Sequence, residues 1–474
     1  MAEMGNLKET DNACYEICNL LRAVFEESSS EYEVAGNIFA AFFHDLVIHF
    51  TGIIIHRAAL QNYGDDIEFP WVNKVYASAP FHYREGQFSC QPGKTGILSY
   101  TKQFGMIPVA MGQSIPFGYR QKRVLDKALK VFTYRPAWTD IYLPKRTAQL
   151  DYLQSVILEL CKNYEIENCS IVQENWARHV RVHSTDKQAA IREKGVLVGT
   201  RNNLHNRKLA LNYLQQEKEV VGFTHGEITN DVLDEPVYGY SDKTLCTTLV
   251  EYGTFASTAL AYPAIISPQK IVRRSSPAVK RHYRPSRHIP YRSLENSRVL
   301  LIPTMYQKNH LYGPKHAYES EQYYQWHRAI EGCTPNLTIK IHPKTRIRPR
   351  FECEIDYRQL EVCINEYDVL ILDYFATSTV LAIFSDKPVI YFDIGLRTLE
   401  PVFCQDLEKR CTIVNIDFTM DWEEQIQSGI GRYRMEKKVC SNTALAKYAL
   451  CDQEEFSMLG TIFDIIRVQY PVCT

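Results

Sequence analysis

The sequence predicts an α/β protein with two doubly wound parallel sheets. Its short apolar runs, rich in Val, Ile and Leu, have the length and composition of strands that are buried on both faces. The clearest three are 337–341, 368–372 and 388–392, and helical stretches separate them. Strand and helix also alternate at short spacing between 144 and 250. This alternation is typical of parallel sheets whose strands are joined by right-handed crossovers.

Helical patterns dominate residues 10–60, and an irregular stretch rich in aromatic residues follows to 143. A helix is predicted after 144, because Leu150, Leu153 and Ile157 share one face. The first sheet is predicted to contain strands at 169–172, 195–199, 219–223 and 245–250. The second is predicted to contain strands at 298–302, 337–341, 368–372, 388–392 and 412–416, with helices completing the chain.

These elements divide the chain into four parts. Residues 1–143 are predicted to be the N-terminal helical and irregular part of the first domain, and 144–269 its Rossmann-like part. A basic linker or flap is predicted at 270–293, and a second Rossmann-like domain with C-terminal helices at 294–474. Two facing α/β domains predict a central cleft as the binding site.

The bulk composition is that of a soluble globular protein. The 474 residues are 45% hydrophobic and 23% charged, and the formal net charge is −1. A chain this close to neutral has no overall field for nucleic acid, so we expect no nucleic-acid partner. The 14 cysteines form no CxxC pair, and the N-terminal sequence lacks the basic and apolar regions of a secretory signal. We therefore expect reduced thiols and a cytoplasmic location, at the inner face of the membrane if the chain is peripheral.

The stretch 270–292 is strongly basic. It contains eight Lys and Arg residues, three prolines and no acidic residue. Two interpretations stay open for it. The first is an exposed, solvated connector between the two domains. The second is a flap that covers a phosphate or an anionic, lipid-linked acceptor and makes peripheral membrane contact.

Polar residues follow three strands of the second predicted sheet. Ligands of open α/β sheets bind outside the carboxyl ends of the strands, and His, Lys and hydroxyl groups there suggest a bound phosphate. The free N–H groups at a helix start favour the same anion. The simpler alternative for the hydroxyls is an N-cap. The candidate phosphate-binding residues are Pro303, Thr304, His342, Lys344, Asp373, Thr377, Ser378 and Thr379.

Candidate catalytic residues follow a strand of the first predicted sheet. Glu227 could act as a general base towards an acceptor hydroxyl, and His225 could do the same or orient it. In a retaining reaction, Glu227 or Asp231 would instead be the nucleophile. The alternative is a surface Glu and a packing His. Glu174 and Arg178 follow the strand predicted at 169–172 and are candidate acceptor-binding residues.

The order of these motifs resembles that of bacterial GT-B glycosyltransferases of surface-polymer synthesis. The matching motifs are His225-Gly-Glu227 after a strand, Ile302-Pro-Thr304, Ile339-Lys-Ile-His-Pro-Lys344 and the run from Asp368 to Phe392. Similar proteins include CDP-glycerol glycerophosphotransferases of teichoic acid assembly, bacterial polysialyltransferases, and Kdo transferases of capsule or lipopolysaccharide. The resemblance covers roughly 165–395.

The resemblance implies a GT-B fold of two facing Rossmann-like domains with a central cleft. It implies an N-terminal domain that holds the acceptor and the catalytic carboxylate, and a C-terminal domain that holds the nucleotide donor. In that family a His-Pro turn and a Ser/Thr cluster bind the phosphate of a cytidine nucleotide. The same role is thereby implied for His342 and for Thr377, Ser378 and Thr379.

The chain departs from the family pattern at three points. Glu227 stands where the glycerophosphotransferases have Thr, and their Asp-Tyr-Ser-Ser is replaced by Asp373-Tyr-Phe-Ala376. The Glu that grips a donor ribose in many GT-B enzymes is missing, because 382–385 contains no carboxylate. Its absence counts against UDP- and GDP-sugar donors and leaves cytidine nucleotides favoured.

The expected activity is therefore metal-independent transfer of a sugar from a cytidine nucleotide donor to a bacterial capsule, lipopolysaccharide or related surface glycan. CMP-Kdo or another CMP-ulosonic acid is favoured as the donor, and no other cofactor and no metal are expected. Three alternatives stay open: a CDP-glycerol or CDP-ribitol phosphotransferase of the teichoic-acid type, a UDP-sugar epimerase-like enzyme, and a non-catalytic GT-B module. An epimerase would turn over donor without acceptor, and a non-catalytic module would turn over nothing.

Overall fold

The computed structural model describes the chain in segments. They are parts of 16–23 and 38–50, then 106–111, 133–134, 140–166, 169–199, 201, 204–224, 242–255, 266–276, 279–280, 283–303, 320–342, 350–395, 399–417, 419–453, 455 and 467–468, with single gaps at 108 and 192.

Strands and helices alternate along most of these segments. The strands are β1 Met106–Ile107, β2 Val109–Met111, β3 Thr133–Tyr134, β4 Ile141–Tyr142, β5 Ser184–Thr185, β6 Gly195–Val198, β7 Glu219–Phe223, β8 Thr248–Tyr252, β9 Lys270–Arg274, β10 Val299–Ile302, β11 Leu337–Lys340, β12 Glu354–Asp356, β13 Val369–Leu372, β14 Val389–Asp393, β15 Thr412–Asn415 and β16 Arg467–Val468. The helices are Arg146–Asn163, Cys169–His183, Leu204–Leu214, Ser320–Cys333, Leu360–Cys363, Thr377–Ile383, Pro401–Arg410, Trp422–Glu436 and Ala446–Ala449.

The second half of the chain forms a six-stranded sheet in the order β12-β11-β10-β13-β14-β15. All of its strand pairs are parallel. Counted from β10, this is the 3-2-1-4-5-6 order of a Rossmann fold. The chain therefore reverses direction across the sheet at β10, and the ligand crevice of such a sheet lies at that reversal.

The first half forms another six-stranded sheet, in the order β3-β2-β6-β7-β8-β9. Its strand pairs are also all parallel. Counted from β2, the order is 2-1-3-4-5-6, a second common doubly wound arrangement, with its reversal between β2 and β6. The predicted fold class, α/β with two Rossmann-like doubly wound sheets, is thus confirmed.

The second sheet is buried on both faces, which explains its continuous apolar runs. Leu300 and Leu370 face a core that also contains Phe403. Leu301 and Ile371, their neighbours along the strands, face the opposite core. Every residue of β10 and β13 is buried, so alternation between apolar and polar residues is absent.

The strand predicted at 169–172 is wrong, because these residues begin the helix Cys169–His183. Val172, Trp176 and Val180 are buried at helical spacing, so the apolar run continues as one helix face. A short apolar run does not distinguish a strand from a buried helix by periodicity. The other predicted strands are present, although the one predicted at 245–250 begins later, at Thr248.

The linker predicted at 270–293 is wrong for its first five residues. They form β9, which pairs with β8 at the edge of the first sheet. The basic side chains meet an acidic partner there, since Arg273 forms a 2.6 Å ion pair with Glu251, which is buried. Further along, Ile289 and Cys440 exchange backbone hydrogen bonds of 2.7 and 3.0 Å. Much of this stretch is therefore fixed by strand pairing, an ion pair and backbone hydrogen bonds to other parts of the chain.

The C-terminal part of the chain returns to the first sheet. Thr254 N and Phe255 N both donate to the carbonyl of Lys447, at 2.7 and 2.9 Å. Gly253 precedes them with a φ of +75°, and a Cβ there would lie 2.4 Å from the carbonyl carbon of Tyr448. A glycine is therefore required where the two halves of the chain meet.

The N-terminal region is helical wherever it is described, at 16–23 and 38–50, as predicted for 10–60. Arg207 ties it to the first domain, because its guanidinium donates to Ala41 O at 2.8 Å and to Asp45 Oδ1 at 2.6 Å. Among the described residues, no helix is both long and apolar enough to span a membrane.

Candidate functional site

Three of the predicted phosphate-binding segments begin side by side. Pro303 follows β10, His342 lies just after β11, and Asp373 follows β13. Because β10 pairs with both β11 and β13, the three segments leave the same edge of the sheet on adjacent strands. Adjacent strands are about 4.8 Å apart, so one phosphate group could reach all three. Thr304 and Lys344 lie outside the described residues.

Asp373 does not face this crevice, which corrects its predicted role as a direct donor ligand. Its side chain is fully buried. Tyr323 Oη donates to Oδ1 at 2.9 Å, and Trp326 Nε1 donates to Oδ2 at 2.9 Å. His327 Nε2 lies 2.6 Å from Oδ2. The carboxylate is thus occupied by three side chains of the helix Ser320–Cys333.

The three predicted hydroxyls also have different surroundings. Thr379 is buried, and its Oγ1 accepts from Ala376 N at 3.1 Å and donates to Tyr374 O. It therefore stabilises the turn before the helix from the third helical position, whereas the N-cap residue itself is Ala376. Ser378 is half-buried and its hydroxyl forms no hydrogen bond within the described part of the chain. The side chain of Thr377 lies outside the description.

The helix Thr377–Ile383 is held at its C-terminal end by Arg410. This guanidinium is completely buried and donates to four backbone carbonyls, those of Ile383, Ala382, Ser385 and Lys387. Asn442 adds hydrogen bonds to Phe384 O and Ser385 O. Burial lowers the pKa of Arg410. A cation is favourable at a helix C-terminus, where carbonyls lack intrahelical partners.

Asp393 is a candidate that the sequence reading missed. It is the last residue of β14, at the same edge of the sheet as Asp373. Burial raises the pKa of its carboxyl group, and Gly395 N donates to Oδ1 at 3.0 Å. It lines a cavity of about 400 Å³ beside Asn415 and Glu408. The available signal was an Asp directly after the apolar run 388–392, followed by a glycine at 395.

The first sheet carries the predicted catalytic segment after β7. His225, Glu227 and Asp231 lie outside the described residues, and Thr224 is the last residue before them. Thr224 is buried and its hydroxyl has no hydrogen-bond partner in the structure as described. The end of β7 therefore contains an unused polar group directly before the predicted catalytic residues.

Arg201 lies beneath this edge. It is fully buried, and its guanidinium donates to Gly199 O at 2.7 Å, Phe223 O at 3.1 Å and Thr244 O at 3.0 Å. These carbonyls end β6, end β7 and precede β8. Gly222 makes room for it, because a Cβ there would lie 2.7 Å from Arg201 Nη1. Arg201 belongs to none of the motifs that the sequence presents.

Glu174 and Arg178 lie together but not at a strand end. Both are exposed on the helix Cys169–His183 and line a groove of about 500 Å³. Their predicted acceptor role depended on a strand at 169–172, and no strand exists there. Gln154 and Arg181 line the same groove.

The described residues contain no group of three His, Cys, Asp or Glu side chains that could hold a metal ion. His342, just after β11, and Ser378, at the start of the helix after β13, are both half-buried.

Comparisons with known proteins identify similar solved structures only. No family model matches the chain, and no curated protein sequence matches it either. The glycotransferase of kitacinnamycin has a TM-score of 0.31 at 10% identity, over 71% of this chain and 85% of that one. The UDP complex of S. aureus MnaA has a TM-score of 0.34 at 11% identity, over 71% and 92%. A protein named for UDP-N-acetylglucosamine 2-epimerase activity, from Listeria monocytogenes, has a TM-score of 0.32 at 11% identity, over the same shares. Similarity at this level carries no functional argument.

Proposed function

We propose that this protein is a GT-B glycosyltransferase that uses a cytidine nucleotide donor. The observation that supports the proposal is the meeting of the Pro303, His342 and Asp373 segments on adjacent strands at the reversal point of the second sheet. A nucleotide phosphate is the ligand expected at such a point. A second doubly wound sheet in the same chain supplies a place for the acceptor.

In this proposal the second domain binds the donor. Lys344 carries the positive charge, and His342, Thr377 and Ser378 donate hydrogen bonds to the phosphate, beside Pro303 and Thr304. They stabilise the leaving nucleotide as charge develops on it. Asp373 and Thr379 have supporting roles instead, because both are buried and internally hydrogen-bonded.

The first domain binds the acceptor and supplies the catalytic group. Glu227, assisted by His225, removes a proton from an acceptor hydroxyl, and in a retaining reaction Glu227 or Asp231 attacks the sugar instead. The basic residues between 280 and 292 are suited to an anionic or lipid-linked glycan.

A cytidine nucleotide is favoured because the helix Thr377–Ile383 contains no carboxylate to grip a donor ribose. Among such donors, a CMP-ulosonic acid such as CMP-Kdo is preferred, and a bacterial surface glycan is the acceptor. A CDP-alditol donor is the alternative, and it would make the enzyme a phosphotransferase.

Thermal-shift measurements with CMP, CDP, UDP and GDP test the proposal. A nucleotide at 100 times its dissociation constant stabilises the folded state by about 2.7 kcal/mol. We expect CMP to raise the melting temperature most, and His342→Ala to remove that shift. His288→Ala is the matched control, because His288 is an exposed histidine elsewhere in the chain. The proposal fails if no nucleotide shifts the melting temperature, or if His342→Ala binds CMP as well as the parent.

Turnover distinguishes the remaining activities. A glycosyltransferase consumes CMP-ulosonic acid only when a glycan acceptor is present. Release of free sugar or epimer from donor alone would identify a hydrolase or epimerase.

A further inference from the structure

We propose that Asp373 is a positioning residue for nucleotide binding, acting through a buried latch that it forms with Tyr323, Trp326 and His327. The latch fixes the helix Ser320–Cys333 against the end of β13 and thereby fixes the turn from 373 to 379. This inference rests on the proposed function, because it concerns the same crevice.

The latch is a single buried hydrogen-bonded unit. Tyr323, Trp326 and His327 lie three and four residues apart, so they project from one face of their helix. Their donor atoms lie 2.9, 2.9 and 2.6 Å from the carboxylate oxygens of Asp373. Neither His327 nor Asp373 has any exposed side-chain surface.

A carboxylate this deeply buried requires its partners. An unpaired buried charge costs several kcal/mol, so removal of a donor leaves a group that must find water or another donor. Trp326 also packs edge-on against Phe392 of β14, with ring centroids 5.6 Å apart. The helix cannot shift without disturbing the neighbouring strand, and this makes the latch stiff.

The latch continues directly into the turn that carries the candidate phosphate ligands. Tyr374 follows Asp373, and its carbonyl accepts from Thr379, whose Oγ1 in turn accepts from Ala376 N. Tyr374 and Phe375 are themselves buried, at 5% and 3% exposure. The backbone position of Ser378 is thus set by a chain of contacts that begins at Asp373.

The latch also holds the first turns of the helix Ser320–Cys333 at this edge of the sheet. Residues 304–319 join Pro303, at the end of β10, to the helix that begins at Ser320. Asp373 holds the first turns of that helix at the end of the adjacent strand β13. Pro303 and the start of this helix are therefore both at the edge where the nucleotide is proposed to bind.

Tyr323→Phe tests the inference with the smallest change, because it deletes one hydroxyl and keeps the ring. Tyr367→Phe is the matched control: Tyr367 also donates to a buried aspartate, Asp356 Oδ2, at 3.0 Å, and Asp356 belongs to β12, the edge strand two positions away from β10. Trp326→Phe is a second latch variant, because it removes the Nε1 donor to Asp373.

Dissociation constants for CMP, CDP and UDP are measured by calorimetry on the full chain, with hydrogen exchange of the amides at 374–379. We expect Tyr323→Phe and Trp326→Phe each to weaken binding of the preferred nucleotide about tenfold, the size of one lost charge-assisted hydrogen bond. Exchange at 374–379 becomes faster in both. The control variant Tyr367→Phe leaves both measurements unchanged.

Two results would overturn the inference, and they differ from each other. If the parent binds a nucleotide and the latch variants bind it equally well, with only a lower melting temperature, the latch has a purely structural role while the proposed function stands. If the parent binds none of the three nucleotides, the proposed function and this inference fail together.

Discussion

The carboxyl edges of the two sheets are organised differently. At the end of β13, the buried polar groups Asp373 and Thr379 are satisfied by neighbouring side chains and backbone. At the end of β7, Thr224 has a buried hydroxyl with no hydrogen-bond partner in the described chain. The edge at β13, in the second sheet, is preorganised by its own contacts. The edge at β7, in the first sheet, keeps a polar group available beside the predicted catalytic segment.

Each edge is also supported by a buried arginine that binds carbonyls. Arg410 closes the C-terminal end of the helix Thr377–Ile383, and Arg201 joins the ends of β6 and β7 to the segment before β8. In both cases the guanidinium's planar array of donors connects backbone segments that are distant in sequence. The arginines hold the strand ends in place from within the core.

The largest change in the free energy of unfolding is expected at the edge of the second sheet. Arg410→Met leaves the carbonyls of Ala382, Ile383, Ser385 and Lys387 without their donor, so the free energy of unfolding should fall by about 3 kcal/mol. Chemical denaturation measures it. Arg434→Met is the control, because Arg434 is 42% exposed and pairs at the surface with Glu295. Equal losses in the two variants would contradict a special role for Arg410.

At the edge of the first sheet, Gly222→Ala should lower the free energy of unfolding by about 2 kcal/mol, because the new methyl group overlaps Arg201 Nη1. The double variant with Arg201→Met should recover part of this loss, which isolates the contact in a double-mutant cycle. Gly332→Ala provides the control. It lies in a helix with no atom within 4 Å of the added Cβ, so alanine should be neutral or stabilising there.

Within the 373–379 turn, Thr379→Val and Ser378→Ala should separate stability from binding. The valine removes the hydroxyl that joins Ala376 N to Tyr374 O, and the free energy of unfolding should fall by about 1.5 kcal/mol. Ser378→Ala should change stability by less than about 0.5 kcal/mol but weaken CMP binding. A calorimetric titration of each variant with CMP measures the binding. If Thr379→Val weakened CMP binding and Ser378→Ala lowered the free energy of unfolding, the two residues would have the opposite roles.

A pH dependence should come from the first half of the molecule. Burial and Lys208, whose Nζ lies 3.0 Å from Nδ1, lower the pKa of His183 to about 4 from its ordinary 6.5. Between those values the unfolded state binds more protons than the folded state. The free energy of unfolding therefore decreases as the pH falls from 6.5 to 4, by at most about 1.4 kcal/mol per pH unit.

Denaturation curves recorded from pH 7 to pH 4 measure this effect. His183→Gln should flatten the acid side of the stability profile, and the exposed His288→Gln should leave it as in the parent. An unchanged profile in His183→Gln would show that this histidine has no part in acid destabilisation.

Sequence patterns predicted the strands and helices of the two sheets with few errors. The runs 337–341, 368–372 and 388–392 are strands because each is short and rich in Val, Ile and Leu, and such runs need two covered faces. The error at 169–172 has the same physical origin, since Cys-Ser-Ile-Val fits a buried helix face equally well. At 270–274 local charge suggested a linker, but pairing with β8 and the ion pair to Glu251 stabilise a strand.

The candidate site was only partly predictable. The sequence by itself determined which polar residues follow which strands, and this located His342, Asp373 and Thr377–Thr379 at one edge of a sheet. Only the tertiary structure decided which of them are available to a ligand. Asp373 meets Tyr323, Trp326 and His327, and Gly222 meets Arg201, through contacts between segments about 20 to 50 residues apart. Such distances leave no periodic signal in the chain, because burial and hydrogen bonding are settled by packing between elements and not within them.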